Sequence, residues 1–336
     1  MKEWIDAWKA RRRLRRTLRW LEAHLLGGVW RLQGNVACLP AGADGEPDAY
    51  QRRMLPEASV REERLAGGGE AACDLVIDRG AWKVLVERSR HGVLRVTDDG
   101  ERAERLVRNA GWLARSYPCP EVVPTDSPAP GAHAVRESFV DGVPIRDAPQ
   151  EQWEPAYREL LTACTRHVAF ADGAFDLDAA WRELEGWSLP GWLERAVATH
   201  RDGVERFLRN APMLASHGDC HNGNVFVRPD GTPLLIDLER VQPMPFFYDA
   251  LSLLRGSAPV NATLRRRYLM GAYDTELAAL WDGAGRAWAP ADRPAALLAM
   301  GLAHAFRPQF AQAESAKRRG KLVSACAKLR DDCGWG

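Results

Sequence analysis

Ser216-His217-Gly218-Asp219-Cys220-His221-Asn222-Gly223-Asn224-Val225-Phe226-Val227, followed by Gly231 and then Leu234-Leu235-Ile236-Asp237, is the stretch on which the reading of this chain turns. It runs loop, strand, turn, strand and terminal carboxylate, with two short apolar β runs joined through Gly231. Such a hairpin returns Asp237 beside the loop that carries Asp219 and Asn224. Three oxygen-bearing side chains then converge from separated positions. Phosphoryl transfer needs a carboxylate that accepts or orients the proton of the acceptor hydroxyl, and hard oxygen donors that hold Mg²⁺ against phosphates. Asp219, Asn224 and Asp237 supply these, and His217, the other candidate catalytic residue, would anchor the loop.

Other chemistries account less well for the same residues. His217, Cys220 and His221 carry zinc-ligating atoms, but no second Cys/His cluster completes a tetrahedron. Cys220 as a nucleophile would need the adjacent His221 as its base, and neighbouring side chains on an extended loop point apart. Asp237 and Asp249 taken singly are ordinary cap or turn residues. Their combination with Asn224 is what makes a site.

Upstream, 73–77, 82–87 and 92–97 are short apolar or β-branched runs separated by Asp78-Arg79-Gly80 and Ser89-Arg90-His91, the pattern of an antiparallel meander. A helix is expected over 101–116, with Leu106, Ala110 and Leu113 on one face and Pro118 beyond its end, followed by strands at 121–123 and 134–139. Past Pro149, helical patterns occur around 151–170, 190–209, 262–281 and 294–313. The expected class is α+β, with a small lobe at 61–141, a helical lobe at 142–336 and a boundary at Asp141-Gly142. Residues 1–60 are expected to form an extension: an amphipathic helix over 2–26, then a Gly-, Pro- and acid-rich loop. In that helix Trp4, Trp8, Leu14, Leu18, Leu21 and Leu25 share a face, with Lys9, Arg12, Arg16 and Arg19 elsewhere. Such a face docks on the body of the protein or lies on an anionic membrane surface.

The His-Gly-Asp-x-His-x-Gly-Asn segment at 217–224 and Ile236-Asp237, with Glu239 two positions on, resemble the aminoglycoside phosphotransferase and choline kinase family. Asp249-Ala250-Leu251 and Glu137-Ser138-Phe139-Val140-Asp141-Gly142 look like that family's later Asp element and its hinge. The resemblance extends over about residues 65–255 and also takes in lipopolysaccharide core kinases. It implies a bilobal protein-kinase-like fold with an antiparallel small-lobe sheet, and the use of ATP and Mg²⁺. It further implies adenine contacts from the hinge at Glu137, Phe139 and Val140, with Asp219 catalytic and Asn224 and Asp237 on the metal. Arg95 stands where a phosphate-binding lysine is usual, Lys83 is the alternative cation, and Glu104 or Glu101 is the helix carboxylate expected to pair with it. The phosphate-covering loop is either Gly67-Gly68-Gly69 or the Arg79-Gly80 turn.

Composition limits the remaining classes. In 336 residues, 46 Lys+Arg against 45 Asp+Glu give a formal charge of +1, which argues against a dedicated nucleic-acid binder. Seven scattered cysteines without a C-x-x-C pair read as free thiols, and no apolar run reaches membrane-span length, so a cytoplasmic protein is expected. Arg265-Arg266-Arg267, Arg307, Lys317-Arg318-Arg319, Lys321, Lys328 and Arg330 outweigh the acids around them and disfavour a polycationic aminoglycoside. They favour an anionic acceptor, such as a lipopolysaccharide core sugar at an inner membrane face contacted through residues 1–26. An aminoglycoside or other small-molecule kinase, and a non-catalytic kinase-like binding module, are the alternatives.

Overall fold

The computed structural model describes residues 2–22, 25–39, 51, 61–66, 73–87 and 92–336. The chain divides into two units, Met1–Gly111 with Pro120–Val140, and Trp112–Cys119 with Asp141–Gly336. In the first, α1 (Lys2–Trp20) precedes β1 (Gly28–Gln33), β2 (Val36–Cys38), β3 (Arg61–Leu65), β4 (Leu75–Asp78), β5 (Lys83–Glu87) and β6 (Gly92–Thr97). Helix α2 (Gly100–Leu113), β7 (Val122–Thr125) and β8 (His133–Ser138) complete the unit. The strands form one antiparallel sheet in the order β3-β1-β2-β4-β5-β6-β8-β7.

Because side chains alternate across a strand, the sheet has two distinct faces. On one, Leu14, Leu18, Leu21 and Leu25 pack with Trp30, Leu32, Val76, Leu85, Leu94 and Val96. On the other, Val36, Cys38, Leu75, Ile77 and Val86 form a second cluster, against which Val84 and Phe139 pack. The leucine stripe that runs through α1 and on to Leu25 is therefore core. Its arginines are also engaged: Arg13 Nε lies 3.0 Å from Asp78, Arg15 Nε 3.1 Å from Glu63 and Arg19 Nη2 2.9 Å from Glu63.

Residues 1–60 thus do more than extend the lobe, since β1 and β2 are strands of its sheet. The sequence concealed β3 because Arg-Glu-Glu-Arg-Leu has no apolar alternation, but charged side chains suit an edge strand, which they protect from further pairing. The Gly67-Gly68-Gly69 candidate loop lies outside the described residues.

The second unit comprises β9 (Val143–Pro144), α3 (Gln150–His167), α4 (Leu177–Glu185), α5 (Gly191–Leu208), β10 (Met213–Ser216), β11 (Val225–Val227), β12 (Pro233–Leu235) and β13 (Gln242–Pro245). It continues with α6 (Tyr248–Ser252), α7 (Pro259–Leu269), α8 (Asp274–Gly283), α9 (Arg293–Ala305) and α10 (Ser315–Ala327). The helix expected over 262–281 is two helices, because Gly271 adopts φ 86 and ends the first in the left-handed conformation that closes many helices. Pro308 similarly keeps α9 from reaching 313. Helix α9 is buried from Ala295 to Ala305 and packs between α5 and α10. The approach is close: a Cβ on Gly301 would stand 2.8 Å from Cys326 Sγ. No helix among the described residues is long and apolar enough to cross a membrane.

Candidate active site

The expected hairpin is present, with Val225 opposite Leu235 and Val227 opposite Pro233, and a turn closed by Gly231 N donating to Arg228 O at 2.9 Å. Ile236 N donates to Asn224 O at 3.0 Å, so the ladder continues to the residue before Asp237. Asp237 itself has φ 64, left-handed backbone that few non-glycine residues adopt and that tends to mark functional sites. From there Leu238–Arg240 makes one tight helical turn and brings Arg240 Nη1 to 3.0 Å from Asp219 Oδ2.

The loop carrying Asp219 is held through its backbone. Asp249, 1% exposed at the start of α6, accepts His217 N at 2.7 Å and Gly218 N at 3.1 Å. Burial pushes the Asp249 carboxyl above its ordinary range, opposed by His217 and by these two N–H groups. The buried His217 ring donates from Nε2 to Ile236 O at 2.8 Å and accepts Asp219 N on Nδ1 at 3.3 Å. Both ring nitrogens are thus used inside the fold, so His217 anchors the loop and is not placed to contact substrate. Gly218 has φ 74, and a Cβ there would stand 2.7 Å from the Arg240 carbonyl oxygen, so glycine is required on both counts. Asn224 Nδ2 donates to Asp219 O at 3.1 Å and Ser252 Oγ to Cys220 O at 2.7 Å.

These donors fit a hard cation. With Nδ2 of the buried Asn224 engaged, Oδ1 is its ligating end, and the Asp237 carboxylate stands beyond the paired residue Ile236 on the same hairpin. One amide oxygen and one carboxylate suit Mg²⁺, which commonly completes its shell with water and substrate phosphate. Among the described residues no group of three or more His, Cys, Asp or Glu could hold a metal ion. Cys220 is buried, and desolvation followed by the Asp249 charge pushes its thiol well up, the reverse of what a nucleophile needs.

In the sheet unit, β5 and β6 pair Val84 with Arg95, which places Arg95 on the same face as Val84, Val86 and Phe139. Its Nε lies 2.6 Å from Glu137 Oε1, and both residues are buried. The expected pairing with α2 does not form: Glu101 and Glu104 are exposed, and Glu104 lines a cleft with Arg108, Asp126 and His133. Register explains the difference. Glu137 is opposite Val93, one diagonal step from Arg95 on the same face, so the sheet itself supplies the carboxylate. Lys83 falls on the other face and donates to Asp78 at 3.2 Å and to the Gly80 carbonyl. The Arg79-Gly80 turn is closed against Asp78 by Gly80 N at 2.8 Å. Ser138 N is used by Glu121 O at 2.9 Å, so it is unavailable as a hinge donor, and the hinge candidates that follow it are Phe139 and Val140.

The sequence profile of the phosphotransferase enzyme family matches residues 76–288, which contain the whole of this loop and hairpin. The chain belongs to that family. It is accordingly a phosphotransferase, a kinase with a hydroxyl acceptor, on a two-lobed α+β protein-kinase-like fold. Among solved structures it is similar to an aminoglycoside phosphotransferase of Streptomyces rimosus, with 18% identity, 70% of this chain and 94% of that chain covered, and a TM-score of 0.42. It is also similar to the aminoglycoside phosphotransferase APH(4)-Ia, at 13% identity with 76% and 89% of the two chains covered and a TM-score of 0.43. An aminoglycoside phosphotransferase of Alicyclobacillus acidocaldarius gives 18% identity, coverage of 79% and 94%, and a TM-score of 0.37. These likenesses are too distant to transfer a substrate. No curated protein matches the chain.

Two arginines meet this loop in ways the sequence did not show. Arg240 carried a local signal, since it ends the one turn that follows Asp237. Arg307 stood in the sequence only as part of the basic surplus, far along the chain, yet its Nη1 donates to Gly218 O at 2.7 Å.

Proposed function

We propose that this phosphotransferase moves the γ-phosphoryl group of ATP to a hydroxyl of an anionic glycan, a class that includes lipopolysaccharide core sugars. The observation that carries the acceptor class is the Arg240–Asp219 ion pair at 3.0 Å, which puts an exposed guanidinium on the catalytic carboxylate. Other cations share its surroundings. Arg146 Nη1 stands 3.5 Å from where a Cβ on Gly223 would be, and Arg255 is close enough to bear on the charges of His221 and Arg307. Ammonium groups of an aminoglycoside would be repelled here, whereas phosphate or carboxylate groups would be held.

In the reaction, the acceptor oxygen bonds to the γ-phosphorus, the bond from phosphorus to the bridging oxygen breaks, ADP leaves, and the hydroxyl proton passes to Asp219. Asn224 Oδ1 and Asp237 would hold Mg²⁺, which when bound supplies charge neutralisation to the phosphate oxygens. His217, Asp249 and Asn224 keep the Asp219 backbone in place, so positioning is done before the acceptor arrives. Arg95 is the candidate phosphate contact, and Phe139 and Val140 the candidate adenine contacts.

The test is an acceptor panel of phosphorylated or carboxylated sugars and aminoglycosides, with ATP and Mg²⁺, read by mass spectrometry of the products. Phosphate on an acidic sugar is the expected result. Phosphorylation of aminoglycosides alone would replace this acceptor class. Failure of millimolar ATP or GTP with Mg²⁺ to raise the melting temperature would turn the reading to a binding module.

A further inference from the structure

We infer that Arg307 is a positioning residue for phosphoryl transfer, supplied by the segment beyond residue 288 that the family profile does not match. The inference rests on Asp219 being the catalytic carboxylate. Arg307 follows α9 and is 4% exposed. Burying a guanidinium is costly unless its charge is offset. Here Nη1 donates to Gly218 O at 2.7 Å, and the Gln309 amide, turned oxygen inward, accepts Nη2 at 2.6 Å and Nε at 3.1 Å. The guanidinium carbon also lies 4.9 Å from the centre of the Phe310 ring. Among the described residues no carboxylate is within ion-pair distance of it. The guanidinium is aimed at the carbonyl immediately before Asp219.

That carbonyl is the point in the loop left for an outside group to hold. Asp249 grips the N–H groups of His217 and Gly218, and His217 grips the N–H of Asp219. With φ 74, Gly218 turns its peptide out of the ordinary backbone path, and Arg307 receives the oxygen so presented. The Gly218–Asp219 peptide is thereby held at both ends, its N–H by His217 Nδ1 and its carbonyl by Arg307, while Asp249 holds the two N–H groups before it. The same stretch of chain braces the anion's neighbour, since His304 Nδ1 lies 2.6 Å from the Tyr248 hydroxyl, one residue before Asp249.

Loss of Arg307 should leave nucleotide binding intact and let the Asp219 carboxylate drift. A displacement on the order of 1 Å at a reacting group lowers rates by about 100-fold. The experiment measures steady-state ADP release with Mg²⁺-ATP for Arg307→Met, Arg307→Lys and Gln309→Ala, with Asp219→Asn as reference and melting temperatures throughout. The expected result is a fall in kcat of about 100-fold for Arg307→Met. The nucleotide KM should stay within about threefold, Arg307→Lys should recover part of the rate, and Gln309→Ala should fall between. A folded Arg307→Met enzyme with wild-type kcat, beside an Asp219→Asn enzyme that has lost turnover, would overturn the inference and leave the site intact. Retained turnover in Asp219→Asn would overturn the reading beneath it. If Arg307→Met does not fold, the kcat-against-KM split in Arg307→Lys and Gln309→Ala decides the matter by the same criterion.

Discussion

At the scale of single residues, the loop separates the carboxylate proposed to do the chemistry from groups that hold its backbone still. Asp219 is partly exposed and meets Arg240, whereas His217, Asp249 and Asn224 are buried and bind backbone or each other's neighbours. Asp219→Asn keeps the shape and removes the carboxylate proposed as the base, so kcat should fall by about 10²–10⁴-fold, with ATP affinity by calorimetry unchanged. Asp237→Ala should abolish the Mg²⁺-dependent part of the ATP-induced rise in melting temperature. Equal rises with and without Mg²⁺ in the unmodified protein would remove Asp237 from the metal site. For the nucleotide, register separates the two candidate cations. Arg95→Met should raise the KM for ATP by about tenfold, the effect of one lost charge-assisted hydrogen bond. Lys83→Met, on the α1-covered face, should leave it unchanged.

At the scale of elements, α1 carries most of the uncertainty that the sequence held. Its composition served two purposes equally well, and only the burial of Leu14, Leu18, Leu21 and Leu25 shows that this stripe faces the sheet. Large-to-small changes in such a core cost about 2–5 kcal/mol, so Leu18→Ala should lower the urea midpoint of the sheet unit with little effect on chemistry at Asp219. Unchanged stability would mean that α1 does not pack there in solution. The strands of the meander were legible because β-branched residues alternate between clear turns. Strand β3 was not, because edge protection writes charge where a strand pattern expects apolar residues. Helices α7 and α8 read as one because Gly271 does not interrupt the apolar period. It interrupts the backbone.

For the whole molecule, one buried histidine ties stability to pH. His304 is enclosed near Arg255, Arg307, Lys321 and Lys328, and burial followed by these charges lowers its pKa to about 2. In the unfolded chain it titrates near the usual histidine value, about 6.5. Between those limits the unfolded state binds the extra proton, so this contribution is complete above about pH 6.5 and is lost as the pH falls. His304→Gln, which preserves an acceptor for Tyr248, should flatten the acid limb of the stability curve by up to about 1.4 kcal/mol per pH unit. Chemical denaturation from pH 7 to 4 reads this directly, and an unaltered slope would assign the acid limb to other groups. At this scale too, the segment past residue 288 packs on the Asp219 loop, where Arg307 donates to Gly218 O and His304 meets Tyr248 beside Asp249.

By itself the sequence determined the α+β class, the position of the hairpin and the placement of Asp219, Asn224 and Asp237 on one loop and hairpin, because all of these are local. A turn glycine, two apolar triplets and the spacing between them act over a few residues and leave a readable pattern. Only the tertiary structure decided which carboxylate meets Arg95, which face holds Lys83, what the α1 leucines cover, and that Arg240 and Arg307 converge on one loop. Those outcomes depend on strand register and helix packing between residues far apart in the chain. Glu104 and Glu137 are equally good partners for an arginine on paper, and the diagonal neighbour relation across β6 and β8 chooses between them.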